Sequence, residues 1–216
     1  RSGFSLGMAN LIASYEGEKV GFVADLVFGP RGEDAVFLSS PSTNIVNQLY
    51  VYWNVSDKIT LTFGNFNTFL GYEVISPVGN FNYSTSYMFS YGPFSHTGLK
   101  ADFALSDDFS LMLAVMNSTD FTEINLDGSY TLGAQFGYKG QYLNFIYGNQ
   151  TFATDATFQV DYTGGFDLSD SFYLGINATY NDTDGTGFAG AALYPQYATS
   201  DSFKIGLRAE YFVENG

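Results

Sequence analysis

Apolar and polar side chains alternate every second residue along most of this chain. The run over residues 20–28 sets Val20, Phe22, Ala24, Leu26 and Phe28 against Gly21, Val23, Asp25 and Val27. Consecutive side chains of a β-strand point to opposite faces, so a period of two predicts strands with two chemically different faces. Similar runs lie at residues 45–55, 59–64, 99–105, 109–115, 130–138, 143–148, 158–163, 172–180 and 203–211. No amphipathic run has the helical period of about 3.6 residues, and the sequence therefore predicts an all-β fold.

The connections between these runs alternate between short and long. Short turns fall at residues 16–18, 56–57, 106–108, 139–140, 169–170 and 200–201, and longer connections cover 29–44, 70–93, 118–129, 152–156 and 181–187. Six short turns imply six hairpins and about twelve antiparallel strands, arranged as in transmembrane up-and-down β-barrels. This set includes the weakly patterned run at 188–197 and the run at 4–15. In the run at 4–15 the alternation changes phase near Ala9, which predicts a bulge there. Without a linker or a low-complexity tract, we expect a single barrel domain over residues 1–216.

Aromatic residues indicate that the outer face of this barrel meets lipid. They make up 19% of the chain, and several runs begin and end on one, such as Tyr130 and Tyr138 or Phe172 and Tyr180. Eight residues of a tilted strand span roughly 20–25 Å, close to the apolar band of a transmembrane barrel. Tyr rings favour the membrane–water boundary, where the hydroxyl stays hydrated. The sequence thus predicts a bacterial outer-membrane β-barrel with membrane lipid as its partner.

The outermost strands predict that the native barrel continues beyond both ends of this sequence. If the short turns are periplasmic, the first strand starts and the last strand ends on the outer side of the membrane. Residues 213–216 also lack the terminal aromatic residue that outer-membrane strands generally carry. We therefore expect about fourteen strands or more in the native chain, with a closed twelve-stranded barrel as the alternative.

Charge and composition argue against several other classes of protein. The net charge is -14 with only eight basic residues, which argues against nucleic acid as a partner. The chain has no Cys and a single His, His96, so thiolate sites and sites built on two His residues are excluded. No metal or cofactor site is expected. Because no nucleophile and base accompany His96, we do not expect an enzyme.

Ten residues are candidates for the lumen or its constriction. Eight are ionisable residues assigned to the interior: Asp25, Lys100, Asp102, Lys139, Asp161, Lys204, Arg208 and Glu210. A Lys or Arg facing lipid at mid-depth costs about 2–4 kcal/mol, which favours an inward position. These charges either set the electric field along a pore or form ion pairs in an interior that conducts nothing. The 70–93 connection is long enough to fold inward, and Glu73 and His96 then either pair in the lumen or hydrogen-bond the loop backbone.

Three stretches of the segment at residues 64–99 stand out, namely Gly64–Glu73 with the pattern Gly-x-Phe-x-Thr-x-x-Gly-Tyr-Glu, Asn80–Ser84, and Pro93–Leu99. With these stretches the segment resembles the OmpL-like family of β-barrel porins, which is common in Bacteroidetes and relatives. The closing stretch Leu207–Phe212 is similar to a family strand that further strands usually follow. The resemblance implies an outer-membrane barrel with a porin-type role.

Two functional hypotheses follow. The first is a porin-like channel for passive diffusion of small polar solutes, narrowed by the 70–93 connection and made selective by inward charges. The alternative is a non-conducting barrel that serves as a structural or accessory subunit and binds other outer-membrane proteins. A barrel enzyme such as a lipase is least favoured, because the sole His lies outside any recognisable catalytic motif.

Overall fold

The computed structural model describes residues 3–4, 6–126, 128–150 and 153–216, which contain thirteen strands in one antiparallel sheet. The strands are β1 (Ala9–Glu16), β2 (Val20–Phe28), β3 (Val46–Ser56), β4 (Ile59–Asn67), β5 (Ser95–Ala104), β6 (Phe109–Met116), β7 (Thr131–Tyr138), β8 (Gln141–Asn149), β9 (Ala156–Ser169), β10 (Phe172–Thr183), β11 (Thr186–Ser200), β12 (Phe203–Gly206) and β13 (Ala209–Asn215). Two short helices, α1 (Pro30–Ala35) and α2 (Tyr87–Tyr91), and a 3-10 turn (Pro77–Gly79) lie in the two longest connections. None of the helices in the described ranges is long and apolar enough to cross a membrane.

Each strand pairs with the next one along the chain, except that β12 and β13 both pair with β11. These two strands share one register on β11, since Gln196 lies opposite Gly206 and Leu193 opposite Ala209. The gap between them faces Pro195, whose carbonyl accepts a hydrogen bond from the Leu207 N–H at 3.2 Å. Proline has no N–H to return that bond, so the ladder is interrupted there. The sheet therefore has twelve strand positions, in agreement with the six predicted hairpins.

All six predicted short turns are confirmed, but the connection predicted at residues 181–187 is wrong. β10 and β11 continue to Thr183 and from Thr186, and only Asp184 and Gly185 form the turn. Both have positive φ, 50° and 83°, which matches the tight hairpin turns that Asp-Gly pairs favour. The predicted bulge near Ala9 is also wrong, because β1 begins there and pairs with β2 in an unbroken register.

The two faces of the sheet differ as the alternation predicted. On β3, Leu49, Val51 and Trp53 point outward, and each is more than half exposed. On the opposite face, Asp25 and Asp161 are almost fully buried. An apolar outer face and a polar inner face are the arrangement of a strand-built membrane protein.

The sheet is open in the described residues, since no pairing joins β1 to β12 or β13. Its two ends nevertheless converge on the connection between β4 and β5, residues 68–94, which we call the strap. Arg31, which follows β2, donates to the Tyr83 carbonyl at 3.5 Å and lies 5.6 Å from the centre of the Tyr83 ring. Arg208, between β12 and β13, donates to the carbonyl of the neighbouring Ser84. The sheet therefore curls around the strap.

Candidate functional site

The strap folds inward and lies against the inner face of the sheet, as the sequence predicted. The Gln135 side chain of β7 donates to the Phe69 carbonyl at 3.4 Å. The Gly71 N–H donates to Asp161 Oδ1 of β9 at 2.9 Å. These contacts place the start of the strap across the interior, well away from the turns.

Four inner-face glycines lie beneath side chains of the strap. The pairs are Gly133 on β7 with Phe69, Gly175 on β10 with Tyr72, Gly190 on β11 with Met88, and Gly206 on β12 with Phe81. A Cβ added to any of these glycines would lie less than 3.0 Å from the strap side chain above it. Interiors pack too tightly to absorb that overlap, so the missing side chains create the space that the strap occupies.

A buried carboxylate on β9 binds the strap backbone. Asp161 is 1% exposed, and its Oδ1 accepts from the Gly71 N–H and from Asn144 Nδ2, both at 2.9 Å. Its Oδ2 accepts from Asn177 Nδ2 at 2.7 Å. A buried carboxylate is costly unless its oxygens accept hydrogen bonds. The described donors are an N–H of the strap and two amides of the sheet, which tie the strap to β8, β9 and β10.

An ion pair fixes the middle of the strap to the last strand position. Arg208 Nη1 lies 2.7 Å from Glu73 Oε1, and the two side chains are only 16% and 3% exposed. Glu73 Oε2 also accepts from the Ser86 N–H at 2.7 Å, and Arg208 donates to the Thr85 carbonyl at 2.9 Å. The pair thus fixes two separate parts of the strap at once.

A carboxylate of β13 caps helix α2 of the strap. Glu210 accepts from the N–H groups of Tyr87 and Met88, at 3.0 and 2.9 Å. Ser86, the residue before the helix, accepts from the Phe89 N–H at 3.0 Å. Unpaired N–H groups at the start of a helix are stabilised by such acceptors, so β13 holds α2 by its first turn.

Tyr72 anchors the strap to the inner face by its ring and by its hydroxyl. Its ring stacks on Tyr194 of β11 at a centroid distance of 4.3 Å, and its hydroxyl lies 3.1 Å from that of Tyr173. Burial, and then the hydrogen bond with Tyr173, raise the pKa of Tyr72 well above its ordinary value. The hydroxyl therefore stays protonated and neutral throughout the physiological pH range.

The opposite part of the inner face, on β3, β4 and β5, borders a cavity of ≈ 440 Å³, to which Phe69 is the one residue that the described strap contributes. The lining consists of Gln48, Tyr50, Tyr52, Thr60, Thr62, Phe66, Asn67, Phe69, Lys100, Asp102, Met112 and Gln135. Lys100 Nζ lies 2.7 Å from Asp102 Oδ2 and 5.7 Å from the centre of the Phe66 ring. The cavity is therefore lined by polar groups, aromatic rings and one ion pair.

The family model described as "Putative beta-barrel porin-2, OmpL-like" matches residues 1–216, the whole chain. The chain belongs to this family. Membership places it in the bacterial outer membrane, in contact with lipid. The stretches that carried the resemblance include the start of the strap, so the family pattern covers the part that crosses the interior.

No curated protein sequence matches the chain. Among solved structures, the chain is similar to Acinetobacter baumannii OccAB3, with a TM-score of 0.46 and 13% sequence identity. That similarity covers 96% of this chain and 59% of the OccAB3 chain. This chain thus spans about three fifths of that structure.

The structure brings five of the predicted site residues to the strap or its anchor points. Glu73 is part of the strap, and three residues of the sheet side contact it: Asp161, Arg208 and Glu210. The fifth is His96, whose Nε2 lies 2.9 Å from Thr68 Oγ1 of the strap. Glu73 and His96 do not pair with each other, which corrects one of the two interpretations. Glu73 has Arg208 as its ionic partner and accepts from the loop backbone instead.

The remaining candidates lie away from the strap anchors. Asp25 is buried on β2, where its carboxylate accepts from Asn10 at 2.9 Å and from Asn47 at 2.6 Å. Lys100 and Asp102 border the cavity, and Lys204 lies exposed on β12 near a short turn. Lys139 was assigned to the interior, and the structure corrects this.

Lys139 lies in the two-residue turn between β7 and β8, where it is exposed and 3.4 Å from Asp108. Its positive φ of 50° belongs to the tight turn with Gly140. A side chain in this position is outside the alternation of the strands, and the period of two therefore says nothing about it.

Sequence reasoning missed the residues that receive the strap. The period of two already assigned Asn144, Asn177, Gly133 and Gly175 to the inner face. Their types carried the signal: amides can satisfy a buried carboxylate, and a glycine in a strand often marks a close approach by another chain segment. What the alternation could not supply was the identity of the segment that approaches.

Proposed function

We propose that the native protein is a channel for passive diffusion of small polar solutes across the outer membrane. The observation that carries this proposal is the asymmetric position of the strap, which is anchored to β9–β13 and leaves a polar cavity open beside β3–β5, with Phe69 at its edge. A segment fixed in this way narrows a lumen without filling it. The family's porin-type role supports the same conclusion.

The inward charges favour a weak preference for cations. The carboxylates on the inner face or strap include Asp25, Glu73, Asp102, Asp161, Asp167 and Glu210, and the cations there include Lys100, Lys204 and Arg208. The hydrogen bonds described for Asp25 and Asp161 come from amide and backbone donors, so those bonds do not cancel their charge. A lumen lined by an excess of one sign concentrates the opposite ion.

Conductance in planar lipid bilayers tests the proposal. The native protein, purified folded from outer membranes, should give discrete current steps and a reversal potential of cation-preferring sign in a salt gradient. Heat-denatured protein from the same preparation is the control. A folded protein that passes no current would refute the channel.

A second candidate is a non-conducting accessory barrel, and one observation favours it. Behind the strap, the space bordered by Leu70, Tyr72 and Asp161 is only ≈ 20 Å³, so this side of the interior is packed shut. If the rest of the native interior is equally closed, the barrel serves as a scaffold. Absence of current, together with a partner captured by cross-linking in intact outer membranes, would establish that role.

A further inference from the structure

We propose that the cavity beside the strap is a binding site for a neutral sugar. The inference deepens the proposed channel by naming the class of solute, and it rests on that proposal only for transport, since binding can be measured without current. The volume of ≈ 440 Å³ lies within the roughly 300–1,000 Å³ range of small-molecule sites. It suits a monosaccharide or disaccharide.

Aromatic rings form part of the cavity wall. Tyr50 and Tyr52 lie two residues apart on the inner face of β3, and Phe66 and Phe69 come from the end of β4 and the start of the strap. The Tyr52 ring lies over Gly21 of the neighbouring strand, where an added Cβ would overlap it. A ring supported from behind offers a firm apolar face, and the C–H faces of a sugar ring pack well on such a surface.

The rest of the lining offers hydrogen-bond groups suited to hydroxyls. Thr60, Thr62, Gln48 and Gln135 contribute hydroxyl and amide groups. The side-chain oxygen Oδ1 of Asn67, which also lines the cavity, is buried and has no hydrogen-bond partner among the described residues. A solute rich in hydroxyls can supply both donors and acceptors to such a wall.

The charges of the cavity favour a neutral solute. Lys100 and Asp102 are the charged residues of the lining, and they pair with each other at 2.7 Å. A carboxylate solute would have to compete with Asp102 for Lys100, and an ammonium solute would have to compete with Lys100 for Asp102. A lipid chain is excluded by the polar lining, because buried groups left without hydrogen bonds are costly.

The test compares three probes of similar size and different charge: glucose, glucuronate and glucosamine. Binding to the native protein in detergent is measured by calorimetry at neutral pH. Glucose should bind, and both charged probes should bind about tenfold more weakly or not at all. Tighter binding of either charged probe, or failure of glucose to bind at millimolar concentration, would overturn the proposal.

Two variants locate the site. Tyr52→Ala should weaken glucose binding about tenfold, because truncating a packed ring in a pocket is among the most damaging changes to binding. Tyr147→Ala, on the exposed outer face of β8, is the matched control and should bind as the native protein does. Equal losses in both variants, or a loss in neither, would place the sugar elsewhere.

Asp102→Asn tests the role of the ion pair, because it frees Lys100. Glucuronate binding should strengthen relative to glucose binding in this variant, and an unchanged ratio would contradict the electrostatic argument.

Conductance separates the two proposals. A protein that binds glucose but passes no current keeps the sugar site and loses the channel, and a protein that conducts without binding glucose does the reverse.

Discussion

The inner face of this sheet has two regions that follow the same alternation and differ in outcome. On the strap side, β9 to β13, small residues and the carboxylates of Asp161 and Glu210 accept the strap, and the interior there is closed. On the cavity side, β3 to β5, Tyr50 and Tyr52 are large, and Lys100 and Asp102 satisfy each other. Alternation decides which face a residue occupies. The size of inner residues, and whether their charges are already paired, decide whether another segment can dock.

The largest expected effect follows from breaking the ion pair of the strap side. Arg208→Ala leaves Glu73 buried without a cation, which should lower the free energy of unfolding by about 3–5 kcal/mol. It should also free the strap and raise single-channel conductance. Lys100→Ala is the cavity-side control, because a partly exposed pair should cost only about 0–1 kcal/mol. Urea unfolding in detergent measures the free energy of unfolding of both variants. Equal losses of stability would contradict the proposed difference between the strap side and the cavity side.

Filling a glycine on the strap side should have the next largest effect. Gly175→Val puts a branched side chain where the Tyr72 ring lies, and overpacking of this kind should cost about 1–3 kcal/mol. The strap should then become sensitive to limited proteolysis. Ala134→Val, which points outward on β7, introduces the same side chain as a control and should leave the strap protected. Protection in both variants would mean that the glycines do not shape the docking surface.

Removing the charge of Asp161 should cost about 1–3 kcal/mol, because one oxygen becomes an NH₂ group facing N–H donors. The variant is Asp161→Asn, and urea unfolding measures the loss. Asp102→Asn, at the partly exposed pair of the cavity side, should change stability less. A larger loss of stability in Asp102→Asn than in Asp161→Asn would contradict the assignment of Asp161 as the buried carboxylate that holds the strap.

The smallest expected effect is electrostatic and belongs to the cavity side. Lys100→Glu should shift the reversal potential toward stronger cation preference and change the free energy of unfolding by about 1 kcal/mol or less. Ion selectivity that stays unaltered would remove Lys100 from the field of the lumen.

The strands and their faces could be predicted because alternation is a local property. It predicted the bounds of β2 and β7 to within one residue, and it placed Asp25 and Asp161 correctly on the inner face. It failed at the Asp184–Gly185 turn, where polar residues belong to a long hairpin instead of a loop. Polarity alone does not separate the two, because paired backbone can continue through polar residues.

The pairing of candidate residues could not be predicted in the same way. Glu73 and Arg208 are 135 residues apart, and nothing in either local pattern identifies the other. A pair of Glu73 with His96 was one of the two interpretations that the sequence left open, but the register of twelve strand positions brings Arg208 to the strap instead. Long-range pairs depend on the curl of the whole sheet, which local periodicity does not encode.

The order in which the chain is synthesised determines when the strap can dock. The strap is synthesised directly after β4, but the side chains that hold its middle, Arg208 and Glu210, belong to the last strand position described. It must remain unanchored there while eight intervening strands are made, and contacts so distant in sequence form late. Docking of the strap on Arg208 therefore reports that this strand position has formed, and a strap still open to protease marks a chain in which it has not.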